Sequence, residues 1–138
     1  MGGFEYLEHT ADIGMVARGD TMAEALSYLA AGMFSVVADL DAVTARQTRR
    51  VSVTSADTES LAVDWLNELL FHFEASGFLP KEFHVTADDG GTSLVARCVG
   101  ERADTERHHV RAAVKAATYH LLQVSHDGGW RIQVILDM

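Results

Sequence analysis

Two tetrapeptides, Asp88-Asp89-Gly90-Gly91 and His126-Asp127-Gly128-Gly129, each stand between two segments rich in apolar residues at alternate positions. Glycine after aspartate accepts the positive φ that tight hairpin turns require, so the flanking segments are expected to pair as antiparallel strands. The first hairpin joins residues 83–87 to 92–100, and the second joins 114–125 to 130–138. That constraint leaves little room for an all-helical or doubly wound arrangement.

The remaining sequence supplies helices and shorter strands. Residues 4–9 read as a strand, and Ile13, Met15 and Ala17 continue an alternating pattern to Arg18. Gly19-Asp20 turns the chain, and Thr21 with Glu24 has the spacing of a capping box. Met22, Ala25, Leu26, Leu29, Met33, Phe34 and Val37 then recur at helical spacing to about Leu40. Val51 and Val53 mark another strand. A second helix starts at Asp57 or Thr58, buries Leu61, Trp65, Leu66, Leu69, Leu70 and Phe73, and stops at Gly77. Two long helices among hairpin-linked strands predict an α+β class, with the helices packed on an antiparallel or mixed sheet in a single two-layer domain over residues 1–138. The apolar stripes on both helices are read as core, with no chemistry assigned to them.

Composition narrows the function. The chain has 138 residues, 20 acidic against 11 basic, for a net charge of −9. So negative a surface repels phosphate backbones, which disfavours strong direct nucleic-acid binding and suits a basic protein partner. The densest basic stretch, residues 102–111 with Lys115, is interrupted by Asp104 and Glu106. The single cysteine, Cys98, forms no internal disulfide and lies in an apolar strand segment, where an inert thiol is expected. No apolar run reaches membrane-spanning length, and Tyr6 stands where a myristoylation signal wants serine or threonine. A soluble, cytoplasmic protein is the expectation.

The chemistry-bearing residues concentrate near the two ends of the sequence. Asp12 follows a break in the N-terminal strand pattern, and Asp137 ends the last strand beside Met138. Alternation puts Ile132, Val134 and Leu136 on one face of that strand and Arg131, Gln133, Ile135 and Asp137 on the other, so Asp137 is expected to project away from the apolar layer. Should the fold join these ends, Asp12, Asp137 and a terminal oxygen of Met138 would form an all-oxygen cluster suited to a hard cation such as calcium or magnesium. Aspartate also ends strands simply because its carboxylate bonds local backbone. Lys115 is read as lying outside the face formed by Val114, Ala116, Thr118, His120 and Leu122, and His120 as half-buried. His108-His109, with Asp104 and Glu106, is read as a solvated loop. No nucleophile elbow, recognisable triad motif or phosphate-cradling glycine loop is present.

The segment Tyr6-Leu7-Glu8-His9-Thr10-Ala11-Asp12-Ile13-Gly14 resembles the opening signature of the archease family. Lys115-Ala116-Ala117-Thr118-Tyr119-His120 resembles that family's Lys-Ala-Val-Thr-Tyr-His strand, with Ala117 in place of the usual valine. Val134-Ile135-Leu136-Asp137-Met138 resembles its hydrophobic Leu-Asp ending. The resemblance implies an accessory protein, not itself catalytic, that promotes guanylylation and multiple turnover of an RtcB-type tRNA-splicing RNA ligase. It further implies a divalent metal held by Asp12, Asp137 and the main chain of Met138, calcium first, with magnesium or manganese as alternatives. Lys115 would then act at the partner or nucleotide interface, with His9 in support. A metal-independent chaperone or scaffold, and a metal-dependent phosphoester hydrolase, are the competing classes.

Overall fold

The computed structural model describes residues 2–7, 12–111 and 113–138. Its strands are β1 (Gly3–Leu7), β2 (Ile13–Gly19), β3 (Gln47–Thr54), β4 (Phe78–Ala87), β5 (Ser93–Arg102), β6 (Ala116–His126) and β7 (Trp130–Asp137). Its helices are α1 (Met22–Val37) and α2 (Thr58–Ser76), with a single 3-10 turn at Leu40–Ala42. The α+β class holds, and the strands divide into two antiparallel sheets. One has the order β1-β2-β7-β6 and the other β3-β5-β4.

Both helices begin on side-chain caps. Thr21 Oγ1 accepts the Glu24 N–H at 3.1 Å, and the Glu24 carboxylate reaches back to the Asp20 N–H at 3.1 Å. The reciprocal pair is therefore displaced by one residue from the usual capping box. Asp57 accepts the Ser60 N–H at 2.7 Å ahead of α2. At the other end of α2, Gly77 adopts φ 71°, a left-handed conformation that glycine enters without a Cβ penalty. Helix α1 ends at Val37, short of Leu40, and its last turn contains no basic residue.

Each helix touches both sheets: α1 packs on β2 and β7 of one and β4 of the other, while α2 packs on β6 and β3. The core between them includes Leu26, Leu29, Met33, Phe34, Trp65, Leu66 and Leu69, all fully or almost fully buried. Trp65 donates its indole N–H to the Leu26 carbonyl at 2.9 Å, which satisfies the one polar atom of the largest core side chain. Phe34 stacks on Phe83 at 6.1 Å between centroids, and Trp65 meets Phe83 edge-on.

Strand β4 starts well before the expected residue 83 and carries the sole proline, Pro80, which is tolerated because β4 is an edge strand. A register shift between Pro80 and Glu82 bends it over Gly100, where a Cβ would lie 2.0 Å from the Leu79 carbonyl oxygen. Strand β6 also departs from simple alternation. Its pairing with β7 shifts between Thr118 and Gln123, and Leu121 takes φ 53°. The bulge leaves His120 exposed instead of half-buried, and ahead of it Ala117 rather than Ala116 is the buried residue, which corrects the expected face of this strand.

Candidate functional site

Strands β2, β7 and β6 are consecutive neighbours, and their ends bring three of the expected site residues into one region. The β2–β7 ladder terminates at the pair Ile13↔Leu136; Asp12 immediately precedes that pair and Asp137 immediately follows it. On the other flank of β7, Ala116 pairs with Asp137, and the Lys115 N–H donates to the Asp137 carbonyl at 2.8 Å. Ile132, Val134 and Leu136 are fully buried and Asp137 is exposed, but Ile135, expected on the same outward face as Asp137, is buried as well, so both faces of β7 are covered until its last residue. Lys115 is likewise exposed, Asp12 is partly covered, and the Met138 side chain packs partly buried against the core. His9 lies outside the described residues.

The donor set at this end consists of two carboxylates and main-chain oxygens. Among the described residues no group of three or more His, Cys, Asp or Glu side chains is gathered closely enough to hold a metal ion. Two carboxylates with main-chain oxygen fit a hard divalent cation in type but supply only part of the six to eight oxygens that calcium takes. Water or a second protein would complete such a shell.

Two features here were not visible in the sequence. The first is Asn67 on α2, whose side chain grips one residue of β6 from both sides. Its amide donates to the Ala117 carbonyl at 3.2 Å, and its oxygen accepts the Ala117 N–H at 2.8 Å. Between Asp64 and Glu68 on the helix, Asn67 carries no signal that sets it apart from ordinary polar residues.

The second is a buried polar cluster in residues 101–108. His108 is fully buried and Glu101 is only 3% exposed, which corrects the expectation of a solvated loop around His108. The Glu101 carboxylate accepts a two-pronged pair of bonds from Arg107 at 2.9 and 3.0 Å. It also accepts the Thr44 N–H at 2.6 Å, and Arg46 stands 3.3 Å away. His108 Nε2 lies 2.9 Å from Glu101, while His108 Nδ1 accepts the Asp104 N–H at 2.9 Å. With Nδ1 accepting, the ring's proton belongs on Nε2, which donates to the carboxylate. These bonds, those from Arg107 foremost, hold the Glu101 carboxyl far below the usual carboxylate range. His109, with φ 51°, and the side chains of Asp104 and Glu106 keep the exposure expected of this loop.

The basic residues of the loop are thereby committed to internal partners. Arg107 serves Glu101, and the Arg111 guanidinium donates to the Ser35 and Ala38 carbonyls at the end of α1. That supplies the positive charge that the last turn of α1 lacks. Cys98 is fully buried in β5, and burial pushes its thiol up to about 12.

A sequence model of the Archease protein family matches residues 4–138. The protein archease of Methanosarcina mazei is 40% identical over 139 aligned residues, covering 98% of this chain and 95% of its own. The Pyrococcus abyssi protein of the same name is 35% identical, with 98% of each chain covered. In fold, the solution structure of Methanobacterium thermoautotrophicum protein 1598 matches with a TM-score of 0.84 at 39% identity, covering 99% of both chains. A crystal structure from Thermotoga maritima, of an archease described as a possible chaperone, matches with a TM-score of 0.63 at 21% identity. It covers 96% of this chain and 94% of its own, and at that identity it speaks for the fold alone.

Proposed function

Because the chain belongs to the Archease protein family, we propose that it is an accessory protein that activates an RtcB-type tRNA-splicing RNA ligase by promoting the ligase's guanylylation and multiple turnover. In that reaction a ligase histidine nitrogen bonds to the α-phosphorus of GTP, and the bond to the departing pyrophosphate breaks. The observation that carries the reading is the meeting of Asp12, Asp137 and the Lys115 main chain at the ends of three neighbouring strands. A small acidic protein with an incomplete oxygen shell is suited to sharing a cation with a partner. Such a cation, calcium first and magnesium or manganese next, would offset phosphate charge as nucleotidyl transfer proceeds.

The chain's own residues divide the task by chemistry. Asp12 and Asp137, with main-chain oxygen at Met138, supply anionic and neutral oxygen ligands. Lys115 supplies a cation for a nucleotide phosphate or an acidic group of the partner, and no nucleophile is asked of this chain.

The test is ligase guanylylation measured with wild type, Lys115→Ala and Asp137→Asn. Both residues are exposed, so each change is expected to alter stability by only about 0.5 kcal/mol. Each is expected to slow stimulated guanylylation sharply, since charges around a transferring phosphoryl group act in the transition state. Stimulation at the wild-type rate by both variants would reduce these residues to ordinary surface charges. A metal-independent scaffold is distinguished by the same assay, because it would tolerate Asp137→Asn.

A further inference from the structure

The connection from β5 to β6 runs over residues 103–115 and carries the chain from the three-stranded sheet to the four-stranded one. Its described residues form no helix or strand, and a connection of that length is uncommon in a compact domain unless it serves a purpose. It delivers Lys115 beside Asp137. We infer that the buried Glu101–His108 pair, closed by Arg107, is a positioning device that sets this connection and thereby the placement of Lys115 at the Asp12–Asp137 end. The inference rests on the ligase-activator reading for what Lys115 does, and on geometry alone for how it is held.

The geometry is that of a loop stitched at several points. Glu101, at the end of β5, gathers Arg107 and His108 from the loop and the Thr44 N–H from the segment before β3. His108 in turn accepts the Asp104 N–H, and Asp104 accepts the N–H groups of Glu106 and Arg107. The loop then docks on the end of α1, where His108 O accepts the Asp39 N–H at 2.8 Å and the Arg111 N–H donates to Val37 O at 2.9 Å. At the far end, the Lys115 N–H bonds Asp137 and Asn67 clamps Ala117. The effect of the cluster on the site is thereby carried by the backbone of the connection.

Ordinary stabilisation would be served more simply by apolar packing. A buried carboxylate with an arginine fork and a histidine of defined tautomer is instead a directional arrangement that admits one loop conformation. Each partner specifies a different turn of the loop, so the cluster trades packing for register.

The experiment compares Glu101→Gln, His108→Ala, His108→Gln and Asp137→Asn in two measurements. Amide hydrogen exchange on the isolated protein reads the loop, and ligase guanylylation at saturating amounts of each variant reads the site. In Glu101→Gln, exchange at residues 104–111 should rise about tenfold or more while β2, β7 and α2 keep their protection. The maximal stimulated rate should fall by a similar factor at a temperature where the variant is fully folded. His108→Gln, whose amide can still donate to Glu101, should recover much of what His108→Ala loses; simple loss of packing would not produce that recovery. Asp137→Asn should lose stimulation with loop exchange unchanged. Full stimulation by Glu101→Gln or His108→Ala despite a loosened loop, or an unchanged loop in both, would overturn the positioning role. Full stimulation by Asp137→Asn would instead remove Asp137 from the site, failure of the wild-type protein to stimulate would overturn the ligase-activator reading, and the exchange results would stand apart from both.

Discussion

Lys115 donates its main-chain N–H to the carbonyl of Asp137 across 2.8 Å. A residue from the end of a long connection is thus fixed to the last residue of β7, and β7 also carries the partner of Ile13. The ends of three strands meet where Lys115 and Asp137 bring opposite charges beside the buried Leu136 and Ala117.

Calcium should stabilise the protein through this meeting point. An ion that binds only the folded chain adds about 2.7 kcal/mol at a free concentration one hundred times its dissociation constant. Thermal unfolding of wild type should therefore shift upward on adding calcium, and Asp137→Asn should shift little. Equal shifts in the two proteins would place the ion elsewhere.

The acid limb of stability should depend on Glu101. Its folded pKa is depressed below the ordinary glutamate value of about 4.3. The depression contributes stability in full above that ordinary value and loses it as pH falls through the folded one. Glu101→Gln should melt lower than wild type at neutral pH and show a shallower decline on acidification. Asp57, Asp88 and Asp104 are depressed in the same direction by backbone hydrogen bonds, so some acid sensitivity persists. Parallel melting curves from neutral pH to pH 3 would decide it, and identical slopes would deny Glu101 this part.

Cys98 should resist thiol reagents in the native protein. It is fully buried and its thiol is raised to about 12, so at pH 8 it is both covered and protonated. Labelling with an aromatic disulfide reagent should follow the denaturant unfolding curve. Rapid labelling without denaturant would reveal local opening of β5.

Asn67→Ala should destabilise the fold by about 3 kcal/mol, because it strands the N–H and carbonyl of Ala117 at a buried position. Asn67→Asp retains the acceptor for the Ala117 N–H and should cost less. Urea unfolding of the three proteins measures both differences. A loss under about 0.5 kcal/mol in Asn67→Ala would mean that water replaces the clamp.

Much of the architecture was legible because its signals are local. The hairpin glycines, the cap residues Thr21 and Asp57, the stop at Gly77 and the alternation of β7 each act within a few residues. The nearness of Asp12 to Asp137 was an expectation about two distant strands, and the motif resemblance sharpened it where periodicity alone could not. The burial of Glu101 and His108 was missed for a physical reason. In β5 only Leu94, Ala96 and Cys98 face the core at first, with Val95 and Arg97 exposed, but by Val99 and Glu101 the second face is covered as well. No pattern in a single strand announces cover supplied by another part of the chain. The bulge at Leu121 was equally hidden, since positive φ at leucine runs against residue preference.

The pairing of β2 with β7 joins strands from opposite ends of the sequence, which makes it a contact of high order and a late closure in folding. Asp12 and Asp137 sit at the tip of that seam. Anything bound between them acts as a latch on the seam, and its binding energy appears in the rarest, global opening of the domain rather than in the fraying of a local unit. Occupancy of the site and completeness of the four-stranded sheet are therefore thermodynamically linked, and each reports on the other.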